Sequence, residues 1–117
     1  MDRIRNTERG RAGEALAEMY LLQLGLTILF RNYRFKRAEL DIVATDGVEL
    51  IIIEVKIRQN NLFGFPEEAI TRQKESLLKA AGYAFKEKNK ISFPVRFDVI
   101  AISIEEKEIK YYKSAFE

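Results

Sequence analysis

The strongest constraint on the fold is a short stretch near the middle of the chain. Two strand-like segments, residues 39 to 45 and 48 to 57, flank the dipeptide Asp46-Gly47. Asp-Gly between such segments favours a two-residue hairpin turn, because both central residues adopt positive φ there. The second segment opens with Leu50-Ile51-Ile52-Ile53. It is apolar on successive residues, so it is apolar on both faces of a strand. Such a strand belongs in the middle of a sheet covered on both sides.

The rest of the chain supplies the cover. Residues 7 to 24 read as a helix, with Leu16, Met19, Tyr20 and Leu24 at helical spacing and Gly25 as C-terminal cap. Residues 26 to 35 read as a strand, in which Ile28 and Phe30 alternate with Thr27, Leu29 and Arg31. Residues 58 to 66 form a loop that is apolar for its kind, with Leu62, Phe63, Gly64, Phe65 and Pro66. A second helix is expected over 67 to 88, its buried stripe marked by Ile70, Leu77, Leu78, Ala81, Ala84 and Phe85. Strands over 95 to 103 and 109 to 113 complete an α-β-β-β-α-β-β order. That order implies an α/β fold with a mixed central sheet of five strands flanked by helices. The 117 residues suit one domain, 1–117.

Composition narrows the chemistry. The chain has no cysteine and no histidine. Disulfides, thiolate metal sites, cysteine nucleophiles and imidazole bases are excluded. Catalysis would rest on carboxylates, lysines, hydroxyls or a metal held by oxygen, for which Mg²⁺ or Mn²⁺ is the natural choice. The net charge is +2, but it is unevenly spread: residues 1 to 37 carry eight Arg or Lys against four Asp or Glu. A basic N-terminal third suits a polyanionic partner. Arg9, Arg11, Arg31, Arg34 and Arg37 are its candidate phosphate contacts. The N-terminus lacks an apolar stretch behind its charges, and no run spans a membrane, so a cytoplasmic location is expected.

A two-residue turn at 46 and 47 would pair 43 with 50, 41 with 52 and 39 with 54. Side chains at paired positions share a face. Glu39, Asp41, Glu54 and Lys56 would then gather on one side of the sheet, with Asp41 and Glu54 as diagonal neighbours. Glu39 directly opposite Glu54 would be a destabilising like-charge pair unless a cation bridged it. A divalent ion held by Asp41, Glu54 and Glu39, with Lys56 beside it, could polarise a phosphodiester and activate a water. Glu14 in the first helix and Lys74 in the second are either solvent-facing charges or, respectively, a site carboxylate and a phosphate contact. Asp98 beside Arg96 is expected to be a satisfied ion pair.

These residues carry a resemblance. Gly13-Glu14-Ala15-Leu16-Ala17, Asn32-Tyr33-Arg34, Ala38-Glu39-Leu40-Asp41-Ile42-Val43, Ile53-Glu54-Val55-Lys56-Ile57-Arg58 and Arg96-Phe97-Asp98-Val99 occur in order over residues 8 to 103. Together with Gly64, Pro66 and Lys74 they resemble the YraN-like family of uncharacterised bacterial proteins. That family is similar to archaeal-type Holliday-junction resolvases and to PD-(D/E)XK nucleases. The resemblance implies a restriction-endonuclease-like core. It matches Asp41 to the first metal-binding carboxylate, Glu54 and Lys56 to the Glu-x-Lys pair, and Glu14 to the helix glutamate of resolvases. Glu39 departs from the resolvase pattern, where a small or neutral residue is usual. The implied function is a Mg²⁺-dependent DNA endonuclease acting on branched or repair intermediates, working as a homodimer. The alternative is a non-catalytic nucleic-acid-binding or interaction module that keeps the fold.

Overall fold

A computed structural model describes residues 2–60 and 70–116, with side chains from residue 10 onward. The element order is α1 (Asp2–Gln23), β1 (Thr27–Phe35), β2 (Ala38–Thr45), β3 (Leu50–Arg58), α2 (Arg72–Lys88), β4 (Val95–Ser103) and β5 (Glu108–Phe116). This is the expected order of elements. The five strands lie in the sheet in chain order. All neighbours are antiparallel except β3 and β4, which run parallel. A parallel pair needs a long crossover, and α2 lies within it. The expected helix over 67 to 88 begins later, at Arg72; residues 67 to 69, and the loop with Leu62, Phe63 and Phe65, lie outside the described residues.

Strand β3 is buried on both faces, as its sequence requires. Leu50 and Ile52 join Ala38, Leu40, Val43, Phe97 and the α2 residues Leu78, Ala81 and Phe85 in one core layer. Ile51 and Ile53 join Ile42, Ala44, Ile100, Ile102 and the α1 residues Ala17 and Leu21 in the other. Each helix therefore covers one face. α1 ends at Gly25, whose φ of +88° closes the helix. Gly25 N–H donates to Leu22 O at 3.0 Å and Leu26 N–H to Leu21 O at 3.1 Å, the paired bonds of a Schellman cap.

The hairpin turn differs from expectation. Thr45 pairs with Leu50, Ala44 with Ile51, Val43 with Ile52 and Ile42 with Ile53. The connection is therefore the four residues 46 to 49, and β3 begins at Leu50. The reason lies in the Asp46 side chain. Its Oδ1 accepts from Val48 N–H at 2.9 Å and Glu49 N–H at 2.7 Å, while Thr45 Oγ1 donates to Glu49 O at 2.8 Å. These bonds stabilise a wider loop than Asp-Gly alone demands. The register moves by two residues, so the parity of the two strands is kept at this end.

Parity changes further along β2. Leu40 packs in the α2-side layer and Ile42 in the α1-side layer. Strict alternation would put both on one face. The strand therefore shifts phase between them, at Asp41.

Asp98 is fully buried on β4 and satisfied, as the Arg96 spacing suggests. Its carboxylate accepts from Arg96 Nε and Nη2 (3.0 and 2.8 Å), from Ser114 N–H (2.9 Å) and from the Tyr111 hydroxyl. Arg96 Nη1 reaches Glu49 Oε1 at 2.9 Å, tying the hairpin loop to β4. Asp98→Asn should leave Arg96 with Glu49 as its main counter-charge and cost about 3 kcal/mol in chemical denaturation; a loss under 1 kcal/mol would show that the network contributes little.

Gly13 lies against β3. A Cβ there would sit 2.0 Å from Ile57 Cδ1 and 2.6 Å from its Cγ1. Gly13→Ala should therefore destabilise the fold by about 1–3 kcal/mol through overpacking. Adding Ile57→Ala removes the obstructing atoms, so the double variant should lose less than the sum of the two single losses. Additive losses would mean that the helix does not pack as described.

Candidate functional site

The phase change in β2 creates the site. The β2–β3 pairing runs only from Thr45/Leu50 to Ile42/Ile53. Beyond it, the Asp41 side chain takes over: its Oδ2 accepts from Val55 N–H at 2.8 Å. A carboxylate thus stands where the next strand bond would be. Glu54, one residue earlier on β3, is 7 % exposed. Its side chain shares a hydrogen bond with Asp41. Two carboxylates sharing a hydrogen bond need a proton between them. Burial pushes the Asp41 carboxyl up to about 9, and the hydrogen bond and charge of Glu54 act in the same direction.

Lys74, in the first turn of α2, meets this pair. Its ammonium lies 3.2 Å from Glu54 Oε2. That oxygen is buried, and the ammonium is its ion-pair partner. Thr71 caps the helix at this point, its Oγ1 accepting from Lys74 N–H at 3.1 Å. Burial opposes charge on Lys74, but Glu54 and its other neighbours raise its pKa overall. Lys56 lies beside Lys74 and behaves oppositely. Burial lowers its pKa and Lys74 adds to the effect, while Glu54 resists it. The two lysines therefore hold their protons unequally. An open pocket of about 430 Å³ collects Arg37, Glu39, Asp41, Glu54, Gln73 and Lys74 at its walls, with Leu77 and Leu78 behind them.

Two expected members are placed differently from expectation. Glu39 lines the same pocket, but the strand register does not set it directly opposite Glu54. It pairs across β1 with Arg34, Nε to Oε2 at 3.0 Å, in register with it. The phase change at Asp41 and the wider turn both remove it from the position expected for it. Glu14 approaches from α1. It is partly buried, which raises its pKa; the Glu39 charge adds to this, and a hydrogen bond from the Asn32 side chain opposes it. Its charge bears on Asp41. Among the described residues, no three carboxylates converge closely enough to form a metal cluster.

The arginines are dispersed. Arg31 is tied to Glu18, its Nε donating at 2.8 Å, and Arg34 to Glu39. Arg37 lines the pocket. Arg11 is exposed on α1, and the Arg9 side chain lies outside the described residues. Lys74, expected as a phosphate contact or a solvent-facing charge, is paired with Glu54 at the pocket wall. Thr71 and Gln73 were not singled out by sequence reasoning. Only the capping residue had a signal, a Thr just ahead of a helical pattern.

The donor set fits a hard divalent cation. Mg²⁺ is commonly held by one or two carboxylates, with waters and phosphate oxygens completing its shell. Asp41 and Glu54 supply two carboxylates, and Glu54 Oε2 is a buried acceptor held only by the ion pair with Lys74.

The arrangement is that of a mixed α/β protein with a carboxylate pair, Asp41 and Glu54, and Lys74 lining a pocket, and Lys56 beside Lys74. The chain belongs to the uncharacterised protein family UPF0102, whose pattern matches residues 13–102. This is the YraN-like family its motifs resemble. It is 40 % identical to a UPF0102 protein of Clostridioides difficile over 95 % of this chain and 98 % of the relative. It is 43 % identical to a UPF0102 protein of Thermodesulfovibrio yellowstonii over 93 % of this chain and 96 % of that relative. A UPF0102 protein of Phocaeicola vulgatus is 43 % identical over 83 % of this chain and 80 % of its own length.

The raised Asp41 pKa has a definite sign in stability. Between its ordinary value of 3.8 and about 9, the folded state holds a proton that the unfolded state has released. Stability from this group is complete below about 4 and falls as pH rises toward 9. The wild type should therefore lose stability relative to Asp41→Asn across that window. Urea midpoints of both proteins at a series of pH values measure it. A constant difference between them would mean that the carboxylates do not share a proton.

Proposed function

We propose that this protein is a metal-dependent phosphodiester hydrolase acting on nucleic acid, with DNA as its substrate. The observation that carries the reading is a pair of carboxylates at a pocket wall, half-buried Asp41 and buried Glu54, which share a hydrogen bond beside the Lys74 ammonium. Asp41 and Glu54 would hold Mg²⁺ or Mn²⁺, which when bound polarises a phosphodiester and acidifies water. Glu14 lies near enough for its charge to bear on Asp41 and tunes the pair from the α1 side.

The lysines divide the remaining work. Lys56, which gives up its proton more readily than an ordinary lysine, accepts a proton from the attacking water. Lys74, which keeps its proton, faces the charge that builds on the phosphate. Arg37 extends the positive rim of the pocket toward the neighbouring backbone phosphates. The resemblance to resolvases supports branched or repair intermediates as the substrate form. No helix among the described residues is long and apolar enough to cross a membrane.

The test is Mg²⁺-dependent cleavage across linear, flapped and four-way DNA, with matched RNA. Asp41→Asn and Glu54→Gln should each lose at least about a hundredfold in cleavage rate while keeping nucleic-acid affinity within a few-fold. Calorimetry should show Mg²⁺ binding to the wild type and not to either variant. Affinity for duplex DNA should fall with salt, with a log–log slope of about −0.9 per phosphate neutralised. Salt-dependent binding without metal binding or cleavage would favour the non-catalytic binding module. Retained cleavage in both variants would remove this site.

A further inference from the structure

We infer that the exposed side of α2 around Tyr83 binds single-stranded nucleic acid, with one unpaired base stacked in an aromatic slot between α2 and strands β4 and β5. The kind of partner rests on the function proposed above. The site goes beyond it, since it needs neither the carboxylate pair nor a metal.

The slot is open and has a volume of about 190 Å³. Tyr83, Phe97 and Phe116 supply its rings. Phe97 and Phe116 are stacked with centroids 5.2 Å apart, and Tyr83 is tilted against Phe97 at 6.1 Å. Phe97 is buried, whereas Tyr83 is 51 % exposed. The helix packs tightly on the sheet one residue earlier. A Cβ on Gly82 would sit 3.0 Å from Phe97 and 3.1 Å from Ile52. Tyr83 is therefore held at the slot while half its surface meets solvent. An exposed ring backed by buried aromatics is a platform for a base.

Size and polarity select a base as the occupant. Pockets for drug-sized ligands begin near about 300 Å³, so this slot suits a single planar ring system. Its remaining walls are largely polar, with Glu49, Arg96 and Ser114. Glu49 Oε1 accepts from Arg96 Nη1 at 2.9 Å, and Arg96 Nη2 is held by Asp98 at 2.8 Å. A carboxylate has about four acceptor positions, so Glu49 keeps capacity for the N–H groups on a base edge. The Ser114 hydroxyl adds a donor and an acceptor from exposed backbone with a φ of +50°. An apolar side chain of a peptide would desolvate these groups without pairing them.

Charge selects a single strand. Lys79 and Lys86 stand a turn before and a turn after Tyr83 on one side of α2, and exposed Lys88 and Lys90 follow. Glu87 shares this surface, which stays net positive. Basic groups on both sides of a stacking ring suit a strand whose phosphates follow the lysines while a base turns onto the ring. Paired bases are stacked inside a duplex and do not reach such a slot without being extruded. The carboxylate pocket takes only α2 residues up to Leu78 and its near neighbours, so the two sites are separate.

Fluorescence anisotropy of a labelled single strand of about ten nucleotides, with chelator present, measures the binding. Tyr83→Leu should weaken it at least about fivefold, the loss expected for one base–aromatic stack, with an unchanged circular dichroism spectrum. Tyr83→Phe should bind as the wild type does, and neither variant should change duplex affinity. Lys79→Gln combined with Lys86→Gln should reduce the log–log salt slope by about 0.7 per lysine. Asp41→Asn should leave single-strand affinity unchanged. A wild type that does not bind the single strand, or a Tyr83→Leu variant that binds it equally well, would overturn the inference and leave the metal-dependent cleavage test standing. Tyr83-dependent binding by a protein that cleaves nothing would support the inference and overturn the hydrolase reading alone.

Discussion

Strand β3 needs apolar cover on both faces, and the rest of the architecture follows from that need. Four consecutive aliphatic residues, Leu50 to Ile53, cannot all be buried by a helix on one side. They need α1 on one face and α2 on the other, with strands on either edge to complete their hydrogen bonds. Burying each such side chain contributes about 1.5–3 kcal/mol. At Glu54 the same strand turns charged without leaving the interior. A carboxylate carried there by its neighbours is costly unless compensated. Asp41, Lys74 and Lys56 are the compensation.

The compensation is incomplete, and this gives the site its chemical character. Asp41 spends one oxygen on Val55 N–H, in place of a strand bond, and is tied to Glu54 through a shared hydrogen bond. Lys74 offsets one charge, while Lys56 and Lys74 compete as neighbouring ammonium groups. Buried polar networks that are only partly satisfied are expensive. By contrast, Asp98 lies deeper than Asp41 and is surrounded by Arg96, Tyr111 and Ser114, and that network reads as structural. The two acids differ in depth and in how fully their oxygens are partnered.

Much of this was legible in the chain. The element order, the two-faced strand, the Gly25 cap and the Arg96–Asp98 pair each rest on local rules of spacing and turn chemistry. The convergence of Asp41 and Glu54 was legible too, although the register on which it was read was off by two residues. That shift preserved parity, so Asp41 stayed with Glu54. Glu39 was misplaced because a further irregularity, at Asp41 itself, changes the phase of β2. No periodicity rule announces such a shift, since it is set by packing on both faces at once. The role of Lys74 was also hidden. A lysine in a helix has no signal for the strand it will face.

The sequence by itself determined which residues must be inside and which chemistries are impossible. Apolar spacing fixes the faces of helices and strands, and the absence of histidine and cysteine leaves only oxygen and amine donors. The tertiary structure alone decided the details that chemistry depends on. These are the four-residue hairpin loop, the partner of each charge, and the unequal pull on Lys56 and Lys74. They arise from competition among hydrogen bonds, packing and desolvation between segments far apart in the chain. Local sequence cannot rank those terms, because each depends on how deeply the others are buried.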